Sequence, residues 1–330
     1  MHRPVVIRKL LVAGLAIAIV GSITAIPAGA ATDAKRCRER ATPTPGSDPE
    51  GITAGPDGNL WFTEWIANKI GRITTDGVVT EFDLPVNAYP QGITAGPDGN
   101  LWFTNPYGGS NKIGRITTAG VVTLFSIPTT DPFPQEIAAG PDGNLWFTEA
   151  IGNKIGRITT GGVVTGEFTV PSSNSYPLGI TAGPDGNLWF TEYNTNKIGR
   201  ITAAGTITEF TIPTSGGFPQ GITTGPDGNL WFAEALGNKI GRMTTGGVVT
   251  GEFTLPTAGG RPARITAGPD GNLWFTENEG NKIGRITTGG VIRESRAKAG
   301  MYPVGITAGP DGNVWFAEAG ANAIGQCRVR

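Results

Sequence analysis

The chain has 330 residues, of which 52 are glycine and 25 are proline, while charged residues make up only 16% and the formal net charge is −1. This low charge excludes a coiled coil and a charge-rich disordered tail. The balanced charge provides no basic surface for nucleic acid, so nucleic acid is not expected among the partners. Because the chain repeats, its glycine and proline content indicates many tight turns.

The N-terminus has the three-part pattern of a secretory signal peptide. Basic residues within the first nine positions precede an apolar stretch at 10–20, and a small-residue cleavage motif ends at Ala30. We predict a signal peptide over 1–30, a secreted product and no membrane association after cleavage, with an uncleaved N-terminal anchor as the alternative. Cleavage would also remove His2, the only histidine. That loss excludes Ser-His-Asp and Cys-His catalytic sites and histidine-ligated metal sites.

Residues 31–330 consist of seven copies of one unit. The string ITAGPDGNLWFTE recurs, with small variations, at intervals of 41 to 44 residues. In the second copy, turn residues separate four β-favouring segments, and we predict strands at 92–95, 101–104, 111–117 and 121–127. Four strands in a repeat of roughly 40–45 residues are typical of a propeller blade. The sequence therefore predicts an all-β fold, a single seven-bladed β-propeller domain over 31–330, with an open β-solenoid as the alternative.

The seventh copy lacks a fourth strand, which the start of the mature chain can supply. Residues 36–43 align with 206–213, a fourth strand in another copy. This alignment places Cys37 opposite Cys327 on antiparallel strands, where β-carbons are about 4.5–5.5 Å apart. We predict that the N-terminal strand closes the last blade and that a Cys37–Cys327 disulfide holds it there. Two unrelated buried thiols are the alternative.

Residues present in nearly every copy predict architecture. We expect the tryptophans of the LWFT motif to fill the gaps between neighbouring sheets. The Asp-Gly dipeptides should form tight turns, and the cations of the NKIGR motif should pair on the surface or between blades. An aromatic sugar-binding platform, a calcium loop and a ligand-binding cation are the respective alternatives.

Two rings of positions are predicted on the face opposite the Asp-Gly turns, where the loops vary in length. The inner ring follows the proline before strand one of each blade and comprises Glu50, Gln91, Gln135, Leu178, Gln220, Ala263 and Val304. The outer ring ends strand two and comprises Glu64, Asn105, Glu149, Glu192, Glu234, Glu277 and Glu318. The residues just before the same prolines are Asp48, Tyr89, Phe133, Tyr176, Phe218, Arg261 and Tyr302. Together they predict an acidic and aromatic mouth.

Some of these positions are candidate ligand contacts. The candidates are Gln91, Gln135, Gln220, Tyr89, Tyr176, Phe218, Arg261, Arg264 and Glu136. Glu136 and Arg264 replace the glycine that opens strand one in the other copies, and Glu136 could extend across the channel mouth toward Arg264. The outer glutamates could bind a divalent cation, but they would lie far apart on a wide circle, and hydrogen bonding to neighbouring loops is the preferred interpretation. The expected partner is a small molecule, a glycan or a protein at the mouth of a monomer.

The repeat GPDGNLWFTE, followed by NKIGRIT, resembles the virginiamycin B lyase family, the streptogramin lyases, over essentially all of 31–330. The resemblance implies a seven-bladed propeller that opens type B streptogramin antibiotics by elimination at an ester C–O bond, with magnesium. Its two catalytic histidines would stand at Ala263 and Val304. The family's glutamate two residues before the second histidine is Tyr302, its aromatic residue near the start of the first blade is Glu50, and only a glutamate at or beside Glu318 is retained.

Alanine and valine can neither accept a proton nor hold a metal, so we expect that the family's mechanism does not operate as known. The preferred hypothesis is a secreted binding or interaction propeller. One alternative is a magnesium-dependent carbon-oxygen lyase in which Glu318, Tyr302 and Glu50 replace the histidines. Another is a carboxylate-metal lactonase. Magnesium is the candidate cofactor, and the metal ligands stay unassigned.

Overall fold

The computed structural model describes residues 37–85, 87–106, 111–296 and 299–329, so the predicted signal peptide lies outside the described residues. These residues form 28 β-strands arranged as seven four-stranded antiparallel sheets. They contain no helix long and apolar enough to cross a membrane. The predicted all-β, seven-bladed propeller is confirmed.

The strand bounds repeat from blade to blade with small variations. In chain order they are β1 (Cys37–Ala41), β2 (Pro49–Ala54), β3 (Leu60–Glu64), β4 (Lys69–Ile73), β5 (Val79–Asp83), β6 (Ile93–Ala95), β7 (Leu101–Asn105), β8 (Lys112–Ile116), β9 (Val122–Ser126), β10 (Pro134–Ala139), β11 (Leu145–Glu149), β12 (Lys154–Ile158), β13 (Val164–Thr169), β14 (Pro177–Ala182), β15 (Leu188–Glu192), β16 (Lys197–Ile201), β17 (Ile207–Thr211), β18 (Pro219–Thr224), β19 (Leu230–Glu234), β20 (Lys239–Met243), β21 (Val249–Thr254), β22 (Pro262–Ala267), β23 (Leu273–Glu277), β24 (Lys282–Ile286), β25 (Ile292–Arg296), β26 (Pro303–Ala308), β27 (Val314–Glu318) and β28 (Ala323–Cys327). The strands predicted in the second copy agree with β6 to β9 to within one residue at each end.

The last blade is closed by the N-terminal strand, as the sequence predicts. Its sheet has the order β1-β28-β27-β26, with β1 antiparallel to β28. Cys37 lies directly opposite Cys327, and the two form a disulfide with α-carbons 4.0 Å apart. The closing strand therefore pairs with its neighbour through both backbone hydrogen bonds and a covalent bond.

The tryptophans fill the spaces between blades. Trp189, for example, is fully buried and packs with Leu230 and Phe232 of the next blade. Its indole Nε1 donates a hydrogen bond of 3.1 Å to Asp185 of the preceding Asp-Gly turn, and its ring stacks on Phe210 at 5.5 Å. One residue thus joins two sheets and fixes a turn, which explains its presence in every blade.

The cations of the NKIGR motif pair as expected. The guanidinium of Arg157 lies 5.3 Å from the centre of the Trp146 ring, and its Nη1 donates a hydrogen bond of 2.8 Å to the carbonyl of Ala203 in the next blade. Lys197 forms an ion pair of 2.8 Å with Glu209 inside its own blade. The arginine contacts link neighbouring blades, and the lysine contacts link strands three and four.

Candidate functional site

The residues that precede the strand-one prolines share an unusual backbone conformation. All seven lie in the left-handed region, with φ between 46° and 54°, namely Asp48, Tyr89, Phe133, Tyr176, Phe218, Arg261 and Tyr302. Bulky residues rarely adopt this region, which costs roughly 1–2 kcal/mol for each residue. Such strain concentrates at functional sites. The mouth therefore presents its half-buried aromatic side chains from strained positions.

The asparagine that opens the NKIGR motif holds these strained loops. Asn153 accepts a hydrogen bond of 2.7 Å from the backbone N–H of Ser175, next to Tyr176. Its side-chain amide donates to the carbonyls of Val170 and Ser172 at 3.2 and 3.0 Å. Sequence reasoning assigned this motif to its cations and missed this function. The available signal was a repeated asparagine, a residue that tolerates the left-handed conformation, which Asn153 itself adopts with φ of 54°.

An aromatic arc spans two neighbouring blades at the mouth. Tyr193 lies between Tyr176 and Phe218, with ring centres 6.3 and 5.0 Å apart. Arg261 follows in the next blade and forms an ion pair of 2.7 Å with Glu279. Burial lowers the pKa of Arg261, but the hydrogen bond and charge of Glu279, together with Tyr193 and Tyr302, raise it overall. The structure thus brings together three predicted contacts with Tyr193, a position outside the predicted ligand contacts.

A second aromatic pair lies on the other side of the mouth. The rings of Trp65 and Tyr89 are 6.3 Å apart and tilted by 57°. Both side chains are half-buried, as are the inner-ring glutamines Gln91, Gln135 and Gln220. The polar inner ring is thus flanked by aromatic surface.

The inner ends of the blades surround a cavity of about 120 Å³ on the channel axis. Its walls are six isoleucines, four glycines and one ion pair. The lining residues are Gly51, Ile52, Ile93, Glu136, Gly179, Ile180, Gly221, Ile222, Arg264, Ile265, Gly305 and Ile306. Glu136 and Arg264 form an ion pair, so the predicted reach of Glu136 toward Arg264 is confirmed.

The backbone around this ion pair is tied to the neighbouring blades. The N–H of Glu136 donates a hydrogen bond of 3.1 Å to the Thr148 hydroxyl, which donates one of 2.8 Å to the carbonyl of Leu178. On the other side, the N–H of Arg264 donates to the Thr276 hydroxyl, and that hydroxyl donates to the carbonyl of Val304. Both charged side chains therefore extend from backbone that is fixed in place.

The outer ring does not form the expected acidic rim. Its six glutamates and Asn105 are completely buried, because their side chains extend into the blades. Glu149 pairs in register with Lys154, and Glu167 lies nearby on the fourth strand. Burial, followed by repulsion from Glu167, raises the pKa of Glu149 to about 7. The expectation that these glutamates form hydrogen bonds with neighbouring loops holds for Glu192. Its carboxylate accepts a hydrogen bond of 2.8 Å from the hydroxyl of Thr195 in the adjacent loop.

The three candidate catalytic residues occupy different environments. Glu318 is completely buried at the end of β27, and Glu50 on β2 is only 5% exposed. Tyr302 is half-buried and precedes Pro303, which pairs in register with Glu318. Their catalytic roles stay predictions. Among the described residues, no group of three or more His, Cys, Asp or Glu side chains is arranged to hold a metal ion.

The two positions where the resemblance places histidines are apolar and buried. Ala263 is 4% exposed and Val304 is 6% exposed. Both lie on first strands, directly after the prolines that begin β22 and β26. Neither side chain can exchange a proton at the mouth.

Comparison with known proteins identifies the family. The model of the virginiamycin B lyase family matches residues 24–171 and 166–330. The chain belongs to the virginiamycin B lyase family. The crystal structure of virginiamycin B lyase from Staphylococcus aureus is 45% identical, with a TM-score of 0.84, over 89% of this chain and 99% of that one.

Two further relatives support the assignment. A streptogramin B lyase structure is 42% identical over 89% of this chain and 97% of its own, also with a TM-score of 0.84. A virginiamycin B lyase from Nocardia farcinica is 44% identical over 48 residues, which is 14% of this chain and 17% of that protein. Family membership therefore rests on matches that span the propeller.

Proposed function

We propose that this chain is a secreted binding propeller that holds a ligand of the type B streptogramin kind at its mouth without opening it. The observation that carries the proposal is the buried, apolar pair Ala263 and Val304 at the two positions where the resemblance places catalytic histidines. An elimination needs a base for the proton beside the carbonyl. An apolar side chain supplies none.

A relative supports the separation of binding from catalysis. A catalytically inactive His-to-Ala variant of virginiamycin B lyase from Staphylococcus aureus has been crystallised with quinupristin, and it is 45% identical to this chain over 89% of its length. That protein holds a ligand after losing one histidine. This chain lacks a histidine at both corresponding positions, while its aromatic arc and strained mouth loops are in place.

The disulfide supports the secreted part of the proposal. Disulfides persist in oxidising compartments and are rare in the cytosol. The Cys37–Cys327 bond joins the two ends of the described chain and leaves no free cysteine among the described residues. It is therefore suited to a protein exported from the cell.

Incubation with quinupristin and Mg²⁺ tests the proposal. We expect isothermal titration calorimetry to detect binding, while mass spectrometry finds the cyclic compound intact after prolonged incubation. Phe218→Ala, in the aromatic arc, should weaken binding at least tenfold. Val248→Ala, at a residue 61% exposed in the turn between strands three and four, should leave it unchanged. A linear product from the unmodified protein would establish a lyase and refute the proposal, and lack of binding would refute it too.

A magnesium-dependent lyase is the second candidate. The observation that favours it is the retained Glu318, at the place where the family resemblance puts a glutamate at the end of β27. Glu318→Gln should then abolish any turnover that the first experiment detects. Turnover that persists in this variant would exclude Glu318 as the residue responsible.

A further inference from the structure

The ion pair on the channel axis replaces two glycines of an otherwise uniform ring. Glu136 on β10 and Arg264 on β22 come from blades that are three apart, and each stands where four of the other blades contribute a glycine to the same cavity. Among the described residues that line this cavity, they are the two that carry charge. The cavity is therefore apolar except at one dipolar feature.

The contact between Glu136 and Arg264 uses only part of their hydrogen-bonding capacity, and both residues line the cavity. A guanidinium carries five N–H donors, and a carboxylate can accept about four hydrogen bonds. Among the described residues, Glu136 is the partner of the Arg264 side chain, and the two side chains are 21% and 29% exposed respectively. Several donors of Arg264 and acceptors of Glu136 thus remain accessible to a molecule that enters from the mouth.

The charge balance of the cavity selects the ligand. The pair is neutral overall, so a ligand with a single charge would leave one charge unmatched in a partly desolvated space, which is costly. A ligand with one positive and one negative group keeps the sum at zero. Its carboxylate can bind Arg264 in the bidentate manner that guanidinium favours, while its ammonium group donates to Glu136.

The electrostatic surroundings favour the same orientation. Burial raises the pKa of Glu136, Arg264 opposes this effect, and Glu50 adds to it. The influence of Glu50 means that negative potential extends from Glu50 to Glu136, which favours a cationic group on this side. The isoleucine ring supplies an apolar wall for a short side chain, and the volume of about 120 Å³ limits the ligand to a small molecule.

We propose that the axial cavity binds a small zwitterion with an apolar side chain, of the α-amino acid class, with its carboxylate on Arg264 and its ammonium group on Glu136. This inference rests on the proposed function, because it treats the mouth as a ligand-binding surface. The ligand proposed here is a second, smaller molecule that binds in the axial cavity at the base of the mouth. The existing ion pair opens to admit the ligand, and each member exchanges one partner for another of the same charge.

Three compounds with the same apolar chain test the inference. Leucine carries both charges, 4-methylpentanoate only the carboxylate, and 3-methylbutylamine only the ammonium group. NMR titration of the full chain should show that leucine binds at least tenfold more tightly than either of the other two, with shifts at Glu136, Arg264 and the lining isoleucines. Equal binding of a singly charged compound, or no perturbation by leucine, would overturn the proposal.

Variants separate the role of the charges from that of folding. Glu136→Gln and Arg264→Gln should each abolish the preference for leucine. The double variant Glu136→Arg with Arg264→Glu restores the pair in reverse, so it should fold and bind leucine. Val248→Ala, at an exposed residue that does not line the cavity, should bind leucine normally. A double variant that folds, as judged by its melting temperature, but does not bind leucine would contradict the proposal.

Comparison with quinupristin distinguishes the two proposals. Quinupristin binding without leucine binding would overturn this inference and leave the proposed function standing. Leucine binding in the cavity without quinupristin binding would support this inference and refute the streptogramin proposal. Binding of neither compound would refute both.

Discussion

Replacing the buried Glu149 with glutamine should remove one source of pH-dependent instability. Glu149 is completely buried at the end of β11, and burial, followed by repulsion from Glu167, raises its pKa from 4.5 to about 7. Glutamine has nearly the shape of the protonated acid and carries no charge at any pH. Blade two already contains a neutral amide at this position, because Asn105 is also completely buried there.

The size and sign of the effect follow from the two pKa values. Between pH 4.5 and about 7 the folded chain keeps a proton on Glu149 that the unfolded chain has lost. The free energy of unfolding therefore falls as pH rises through this interval, by about 1.36 kcal/mol for each pH unit. The contribution is fully present below pH 4.5 and lost above about 7, which amounts to roughly 3 kcal/mol for this one residue.

Urea denaturation at several pH values measures this difference. At about pH 4, Glu149→Gln and the unmodified protein should have similar free energies of unfolding. At about pH 8, the variant should be more stable by up to about 3 kcal/mol. Val163→Ala, at a non-titrating residue that is 60% exposed between β12 and β13 of the same blade, serves as the control and should keep the pH dependence of the unmodified protein. If the profiles of Glu149→Gln and the unmodified protein run parallel, the buried carboxyl does not hold a proton in the folded state.

Three further substitutions test the architecture. Replacing Cys37 and Cys327 with serine should lower the free energy of unfolding by about 5 kcal/mol, because the bond closes a loop of 290 residues; an unchanged denaturation midpoint would contradict this. Asn153→Ala should cost about 3 kcal/mol through lost hydrogen bonds and an unfavourable φ, so calorimetry should show a lower melting temperature, and an unchanged one would refute the loop-holding role. Gly199→Ala should cost about 1–3 kcal/mol, since a β-carbon there would overlap the ring of Phe190, and a fully stable variant would show that the blade can expand.

Much of the fold could be predicted because the repeat places equivalent residues at equivalent points. The spacing of the Asp-Gly turns gave the number of blades, and the alignment of the N-terminal segment with a fourth strand placed Cys37 opposite Cys327. The contact between Glu136 and Arg264 was also accessible to this reasoning. Both replace a glycine at the same position of strand one, so both side chains had to point toward the axis.

The direction of the outer glutamates could not be read from their position in the strand. Glu277 extends into its own blade because Gly260 and Gly280 leave room beside its carboxyl group, and this space depends on loops from two parts of the chain. The expectation of an acidic rim was based only on the position of these glutamates at the end of strand two. It therefore placed at the surface a carboxyl group that the structure buries.

The left-handed backbone conformation of the mouth residues could not be predicted for a different reason. Local preferences disfavour it, because a residue before proline is normally extended and aromatic residues avoid positive φ. Tyr302 adopts a φ of 46°, and its N–H donates a hydrogen bond of 2.9 Å to Asn281, which lies 21 residues earlier. This tertiary contact overrides the local preference. Single-residue propensities do not include such contacts and therefore could not predict the conformation.

The closure of the last blade also sets the order in which this protein can mature. Strand β1 must wait for β28, which is made nearly 290 residues later, so the nascent chain carries an unpaired strand until β28 has been made. Completion of the ring also brings β26 beside β2, which closes the wall of the axial cavity. Oxidation of the two thiols and completion of the cavity therefore belong to the same late event. A thiol-reactive dye added during refolding would report when the molecule becomes competent to bind.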